Sequence, residues 1–378
     1  MSLSSKSSEN FSKVQATTAQ LQTLASQVGP HGKLPTHRQL RHSMGVSITT
    51  LNSALSELEA RRLIYRVQGS GIYVAATARR SIALVCDPAY FQGANHSPFW
   101  DVLLEQARQW ATTHDEILSF HFAAPAATAA EQSGEMLHEG LVRDIQAGRV
   151  HGIIAVGLPV PVTEWVRDQG VPLVAFAGWS DYTVGLDGVE LIRLGVAELA
   201  RQGCRRIGLW RTVDLAHTLE ATRTDAEAIT HIFRQSLVDC GVPFHAALIK
   251  NNRHLLMEAD KPRVVLTKQE QGYQTAIDVF SGSHRKATPK PDGVIITDDM
   301  MTHGALVALQ KLGVMVGQEL KIATHANRGS MVLLGRDELT LLEIDPAEVV
   351  QALFEMLETL MDGKTPATPI VSIKPKAK

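Results

Sequence analysis

Cysteine is scarce: Cys86, Cys204 and Cys240 are the three in 378 residues, odd in number, widely spaced and without a CxxC. That pattern argues against a disulfide framework or a cysteine zinc site and predicts reduced core residues. Long apolar runs are missing as well, none approaching the roughly 18 residues that a membrane span needs. The N-terminal stretch MSLSSKSSENFSKVQ has neither the apolar core nor the small-residue cleavage site of a secretory signal, so the cytoplasm is the expected location. Several enzyme motifs are absent too: there is no G-x-x-x-x-G-K-[ST], no G-x-S-x-G, no H-E-x-x-H, and no G-x-G-x-x-G after a strand pattern. Fifteen histidines are scattered, and His37 and His42 stand five apart on a helical pattern, a poor spacing for one metal. No catalytic residue, metal ligand or cofactor is expected, and no enzyme activity.

What is present is an ordinary globular composition, 44% hydrophobic and 20% charged, in a chain long enough for two or three folding units. The net charge of -2 is unevenly spread. Residues 1–80 hold ten Lys or Arg against Glu9, Glu57 and Glu59, a charge of +7, which leaves -9 on the rest. A basic end on an acidic chain points to a polyanion partner.

Within that basic end, Val14, Leu21, Leu24, Ala25 and Val28 form one stripe of a helix expected over about 11–28, closed by GPHGK. A second helix starts at LPTHRQLRHSMG, with Thr36 as cap and Leu40 and Met44 inward; Gly45 stops it. Ser47 caps a third, whose Leu51, Ala54, Leu55 and Leu58 turn inward and leave Ile48, Thr49, Asn52, Ser53 and Ser56 outward. Two helices across a tight Gly turn, the second opening on short hydroxyl side chains, follow helix-turn-helix logic, and Asn52 and Ser53 are placed to reach base edges. LIYRVQGSGIYVA then alternates around a Gly-Ser-Gly turn, as a hairpin wing would.

From residue 81 onward the pattern changes. SIALVCD, EILSFHF, GIIAV, PLVAFA, RIGLW, RVVLT, GVIIT and KIATH read as strands, alternating with helical patterns near 99–113, 131–147, 187–202, 225–240, 270–281, 300–312 and 346–361. Such alternation predicts an α/β chain with parallel sheets, here two doubly wound lobes with a ligand site at the strand carboxyl ends between them.

The stretch LPTHRQLRHSMGVSITTLNSALSELEARRLIYRVQGSGIYV resembles the winged-helix domain of the GntR family over about forty residues. The resemblance implies Arg38 as a phosphate or base contact, Ser47, Thr49 and Thr50 as recognition-helix contacts, and Gly71 at the wing tip. The family often has Arg where this chain has Ile48, Asn52 and Ser70, and Gly where it has Arg62.

SPFW at 97–100, RVHGIIAVG, QGVPLVAF, GLDGVELIRLGVAELARQGCRRIGL, PDGVIITDDMMTHGALVALQKLGVMVGQELKIATH and IDPAEV, in that order, resemble the effector domain of the LacI/GalR family over nearly all of residues 81–374. The fold implied is type I periplasmic-binding-protein-like, with a cleft closing on a small polar ligand such as a sugar. By position, Phe99 and Trp100 would form an aromatic wall, Asp299 with Asp298 beside it would accept ligand hydroxyl hydrogens, Arg223 would be the cationic partner, and Thr267 would lie on the opposite lobe. Phe99 and Trp100 also suit a core, and Asp298 an N-cap. The family usually has an Arg three residues before a Gly-Phe pair in the helix after RRIGL, an alignment that places Ile229 and Ile232 here, so the charged anchor has moved or gone.

The organisation expected is a winged helix-turn-helix at 1–75, a linker at 76–80 and a two-lobed effector domain at 81–378. The function expected is a ligand-responsive transcriptional regulator, a repressor working as a homodimer on double-stranded operator DNA and released by a sugar or related small molecule. The alternatives are a sugar-binding or sugar-converting protein whose N-terminal helices only dimerise, or a ligand-activated transcription factor.

Overall fold

The computed structural model describes residues 4–61, 63–75, 79–91, 97–124, 136–212, 219–251, 257–258, 261–262, 266–281 and 290–378. The basic end folds as α1 (Ser4–Val28), α2 (His37–Met44), α3 (Ile48–Ala60), β1 (Ile64–Val67) and β2 (Gly71–Val74). Local chemistry sets the starts: Thr36 and Gln39 form a reciprocal capping box on α2, and the Ser47 hydroxyl accepts from the Thr50 amide at 3.1 Å. Gly45 ends α2 at φ 63°, a conformation that costs glycine little. Leu21, Leu40, Leu51, Leu55 and Leu58 are wholly buried against Ile64 and Ile72, so the helices and hairpin share one core. Helix α1 begins seven residues before the expected Phe11.

The first lobe contains β3 (Ser81–Cys86), α4 (Pro98–Thr113), β4 (Ile117–Phe122), α5 (Glu139–Gln146), β5 (Gly152–Val156), α6 (Val160–Asp168), β6 (Leu173–Phe176) and β7 (Thr183–Leu186). The second contains α7 (Gly188–Arg201), β8 (Ile207–Arg211), α8 (Leu219–Asp239), β9 (Ile249–Asn251), the small hairpin of β10 (Met257–Glu258) and β11 (Lys261–Pro262), α9 (Lys268–Phe280), β12 (Gly293–Ile296), α10 (Asp299–Lys311), β13 (Lys321–Asn327) and β14 (Thr340–Ile344). The chain then returns to the first lobe as α11 (Pro346–Met361) and β15 (Ile370–Ile373), and ends in the second as β16 (Lys376–Ala377). The sheet orders are β15-β7-β6-β5-β3-β4, all parallel, and β16-β14-β13-β12-β8-β9, parallel except β16. Three chain crossings thus join the lobes, at Asp187, Asp345 and Lys374–Pro375.

Each sheet is apolar on both faces because helices cover both. In the first lobe, α4 and α11 bury Leu103, Leu353 and Phe354 on one face, while α5 and α6 bury Leu141, Ile145 and Val162 on the other. Cys86 and Cys204 are buried as expected; Cys240 is half-buried, a correction to its expected core position. The RVVLT strand expected at 263–267 falls mostly outside the described residues, and Leu266 and Thr267 are irregular. Helix α6 and strands β7, β9, β14, β15 and β16 were not expected.

Helices α9 and α10 touch backbone to backbone. A Cβ at Gly272 would overlap the Met301 carbonyl oxygen, and one at Gly304 the Gln269 carbonyl oxygen. This close approach sets the two helix N-termini side by side at the mouth of the second lobe. Gly304→Ala is expected to cost about 1–3 kcal/mol of stability by overpacking, read by denaturant unfolding; an unchanged midpoint would show that the helices separate freely.

Candidate ligand cleft and nucleic-acid interface

On the basic end, Ile48, Thr49, Asn52, Ser53 and Ser56 are all exposed along one side of α3, and Ile48 is 53% exposed although it is apolar. Arg38, on α2, is exposed as well, without an ion pair among the described residues. Two expected contacts are corrected. Thr50 is buried, its hydroxyl 2.8 Å from that of Ser47, so it belongs to the helix cap and not to the outward face. The wing tip is Gln68–Gly69–Ser70; Gly71 opens β2 at φ 141°, where a Cβ would meet the Lys33 side chain at 2.8 Å. Ser47 is exposed but its oxygen is engaged in the cap. The side chain of Arg62 lies outside the described residues. Lys33 was missed: it pairs with Tyr73 beside the wing, its ammonium 5.7 Å from that ring. A lysine just before the LPTHR start was the available signal.

Between the lobes lies a cleft of about 390 Å³. One wall is aromatic, with Phe99 and Trp100 from the first turn of α4 and Phe176 from the end of β6. Phe99 and Trp100 are 7% and 6% exposed and pack edge to face at 5.0 Å, so they serve the core and the cleft wall together. Ala177 follows at φ 52°, unusual for a residue with a side chain, and its carbonyl accepts from the Tyr90 hydroxyl at 3.3 Å.

The facing wall carries charge. Asp298 caps α10, one oxygen accepting from the Met301 amide at 2.9 Å and the other from Lys268 Nζ at 2.8 Å. Asp299 is 3% exposed; it accepts from its neighbour's amide at 2.9 Å and from Asn327 Nδ2 at 3.1 Å. The Asn327 oxygen in turn meets His325 Nε2 at 3.0 Å. Burial, then the Asp298 carboxylate, push the Asp299 carboxyl above the usual range, opposed by His325, the Asn327 amide and Lys268. Arg211, at the end of β8, also lines the cleft, as does Ile229 where the family Arg was displaced.

The structure therefore brings Phe99, Trp100, Asp298 and Asp299 together. It does not bring Thr267 into the cleft: Thr267 caps α9 in the same lobe as Asp299, and its hydroxyl is engaged by Glu270 at 2.9 Å. Arg223 lies on α8 with its side chain outside the described residues. Lys268, Asn327, His325 and Arg211 were missed; each sits at a strand carboxyl end or helix start, the places where a doubly wound lobe presents its ligand groups.

Comparison with known proteins matches these two arrangements. Residues 21–74 fit the model of bacterial regulatory proteins of the gntR family, and residues 196–378 that of the periplasmic binding protein-like domain. The N-terminal end thus matches a gntR-type helix-turn-helix, and the second half of the chain a periplasmic-binding-protein-like domain. The chain is similar to the histidine utilization repressor of Pseudomonas putida, 35% identical over 82 residues, 21% of this chain and 33% of that protein. The chain thus spans about a third of that repressor's length. Among solved structures, a LacI-family regulatory protein from Chloroflexus aggregans is similar at TM-score 0.57 and 19% identity, covering 79% of this chain and 96% of that one. A transcriptional regulator CelR–cellobiose complex is similar at 0.57 and 15%, covering 88% and 90%. The Escherichia coli transcriptional repressor ascG is similar at 0.55 and 16%, covering 79% and 97%. At these identities the likeness is one of fold. No described helix is long and apolar enough to cross a membrane.

The buried carboxyl makes stability pH-dependent. Below the ordinary Asp value near 3.8 it is protonated folded and unfolded alike; as the pH rises towards its raised folded value, the unfolded chain ionises first and stability falls. Asp299→Asn removes that loss, so the variant's thermal midpoint should gain on the wild type as the pH rises above the ordinary Asp value in a calorimetric series. A difference that stays constant with pH would mean that burial does not control this carboxyl.

Proposed function

We propose that this protein is a ligand-responsive transcriptional repressor. Residues 1–75 bind double-stranded operator DNA, 76–80 form the linker, and 81–378 take a sugar or related small polar effector that releases the DNA. One observation carries the reading: an outward α3 face of short polar side chains, with an exposed wing beside it, stands in the same chain as a cleft between two lobes. The aromatic wall suits the apolar face of a sugar ring, and Asp298 and Asp299 suit its hydroxyls. That a neighbour of the same fold is a complex with cellobiose supports a sugar over other polar ligands. A homodimer fits, because two copies match a palindromic site and double the phosphate contacts. The cytoplasm is the matching location.

Because Arg38 and Asn52 are exposed, replacing them leaves the winged-helix core intact. Arg38→Ala should weaken binding to the DNA upstream of the protein's own gene on every sequence and flatten the salt dependence by about one phosphate contact; Asn52→Ala should cost about 1–3 kcal/mol and relax base preference. Fluorescence anisotropy over a salt series reads both. Wild-type affinity that does not fall with salt, or two variants that bind as the wild type does, would remove DNA from the function.

A further inference from the structure

A second cavity, of about 650 Å³, lies where the winged helix meets the first lobe. Glu57, Ala60 and Arg61, at the end of α3, form its winged-helix side, and residues of β4, α5 and the stretch before β5 form its lobe side. Thirteen residues of helix, about 20 Å, separate this end of α3 from its start, so the cavity is well clear of the Ser47 cap. Its two carboxylates are engaged. Glu57 accepts from Arg61 at 2.6 Å and from the Thr18 hydroxyl at 3.0 Å, and Asp144 accepts from Arg149 Nε at 2.9 Å.

Two donors on the wall are left over. The Arg61 side chain is 12% exposed, and one terminal nitrogen serves both Glu57 and the Ala147 carbonyl. Its Nε–H is out of water and meets no acceptor among the described residues, a costly position for a donor on a cation. His151 accepts from the Ser81 amide at Nδ1, at 3.0 Å, which places the ring proton on Nε2, again with no acceptor among the described residues. Burial first, then the charges of Arg61 and Arg80, push the His151 pKa down, so the ring is neutral and Nε2 is a donor only. Ala60, Ile117, Leu141 and Val150 make the rest of the lining apolar.

We propose that this cavity is a second small-molecule site, separate from the interlobe cleft, and that it takes an organic carboxylate. Arg61 Nε–H and His151 Nε2–H donate to the carboxylate oxygens, and the apolar body of the ligand lies against Ile117, Leu141 and Val150. A carboxylate accepts without donating and carries the charge that a buried guanidinium favours, whereas a sugar hydroxyl brings another donor to a wall that already has spare ones. The volume is within the range of small-molecule pockets. Because the ligand touches the winged helix through Arg61 and the lobe through His151, it binds only while the two are docked. The site depends neither on the cleft nor on what the cleft binds.

Calorimetric titration of the full chain with acetate, propionate and benzoate, each beside its neutral amide, tests the site. At least one carboxylate should bind saturably where its amide does not, and Arg61→Lys and His151→Asn should each weaken it by about tenfold or more. Lysine keeps the charge beside Glu57 but has no N–H at the Nε position, and the asparagine oxygen still accepts from the Ser81 amide, so both variants keep the local contacts. Arg201→Gln, on an exposed side of α7, should bind as the wild type does. Absence of saturable binding by all three carboxylates, or equal binding of the amides, would overturn the site. Carboxylate binding that survives both Arg61→Lys and His151→Asn would place the anion elsewhere on the molecule and overturn it too.

Discussion

A carboxylate held almost out of water at the N-terminus of α10 is the constraint around which the rest of the second lobe is arranged. Asp299 would be costly as an isolated buried charge. The helix N-terminus and the Asn327 amide supply donors to it, while burial and the adjacent Asp298 carboxylate still push its carboxyl above the usual range against the opposing effect of His325 and Lys268. Gly272 and Gly304 let two helix backbones touch, and Lys268 from one helix reaches Asp298 of the other.

The aromatic wall opposite belongs to the first lobe, and the two sides are joined by three chain crossings. On the proposed function, a ligand spanning the cleft would touch both lobes, and an affinity that differs between two lobe arrangements is the condition for shifting an equilibrium. The gntR-type end touches the first lobe through Arg61, which donates to the Ala147 carbonyl.

Much of this was legible in the sequence, where local chemistry decides the outcome. The leucine spacing of α3 separated its inward and outward sides correctly, and the SPFW and TDDMM stretches pointed to residues that meet in the cleft. Thr50 and Thr267 were read as contacts, but a hydroxyl near a helix start is as useful to the helix cap as to a ligand: that of Thr50 meets the capping Ser47 hydroxyl, and that of Thr267 accepts from the Glu270 amide. Lys268, Asn327 and Arg211 went unnoticed because their role depends on which strand ends face the other lobe, a property of the assembled sheets. Helix α6 was hidden by Pro159 and Pro161, which a first helical turn accommodates. The strands β7, β9, β15 and β16 are four residues or fewer, too short to show a period.

The most direct test of the account is linkage between the two ends of the molecule. Anisotropy would give the affinity for the upstream duplex with and without each of a panel of mono- and disaccharides, and calorimetry the affinity for each sugar with and without the duplex. The account predicts a sugar that weakens DNA binding, with DNA weakening the binding of that sugar by the same factor. A sugar that binds in the cleft and leaves the DNA affinity unchanged would contradict it.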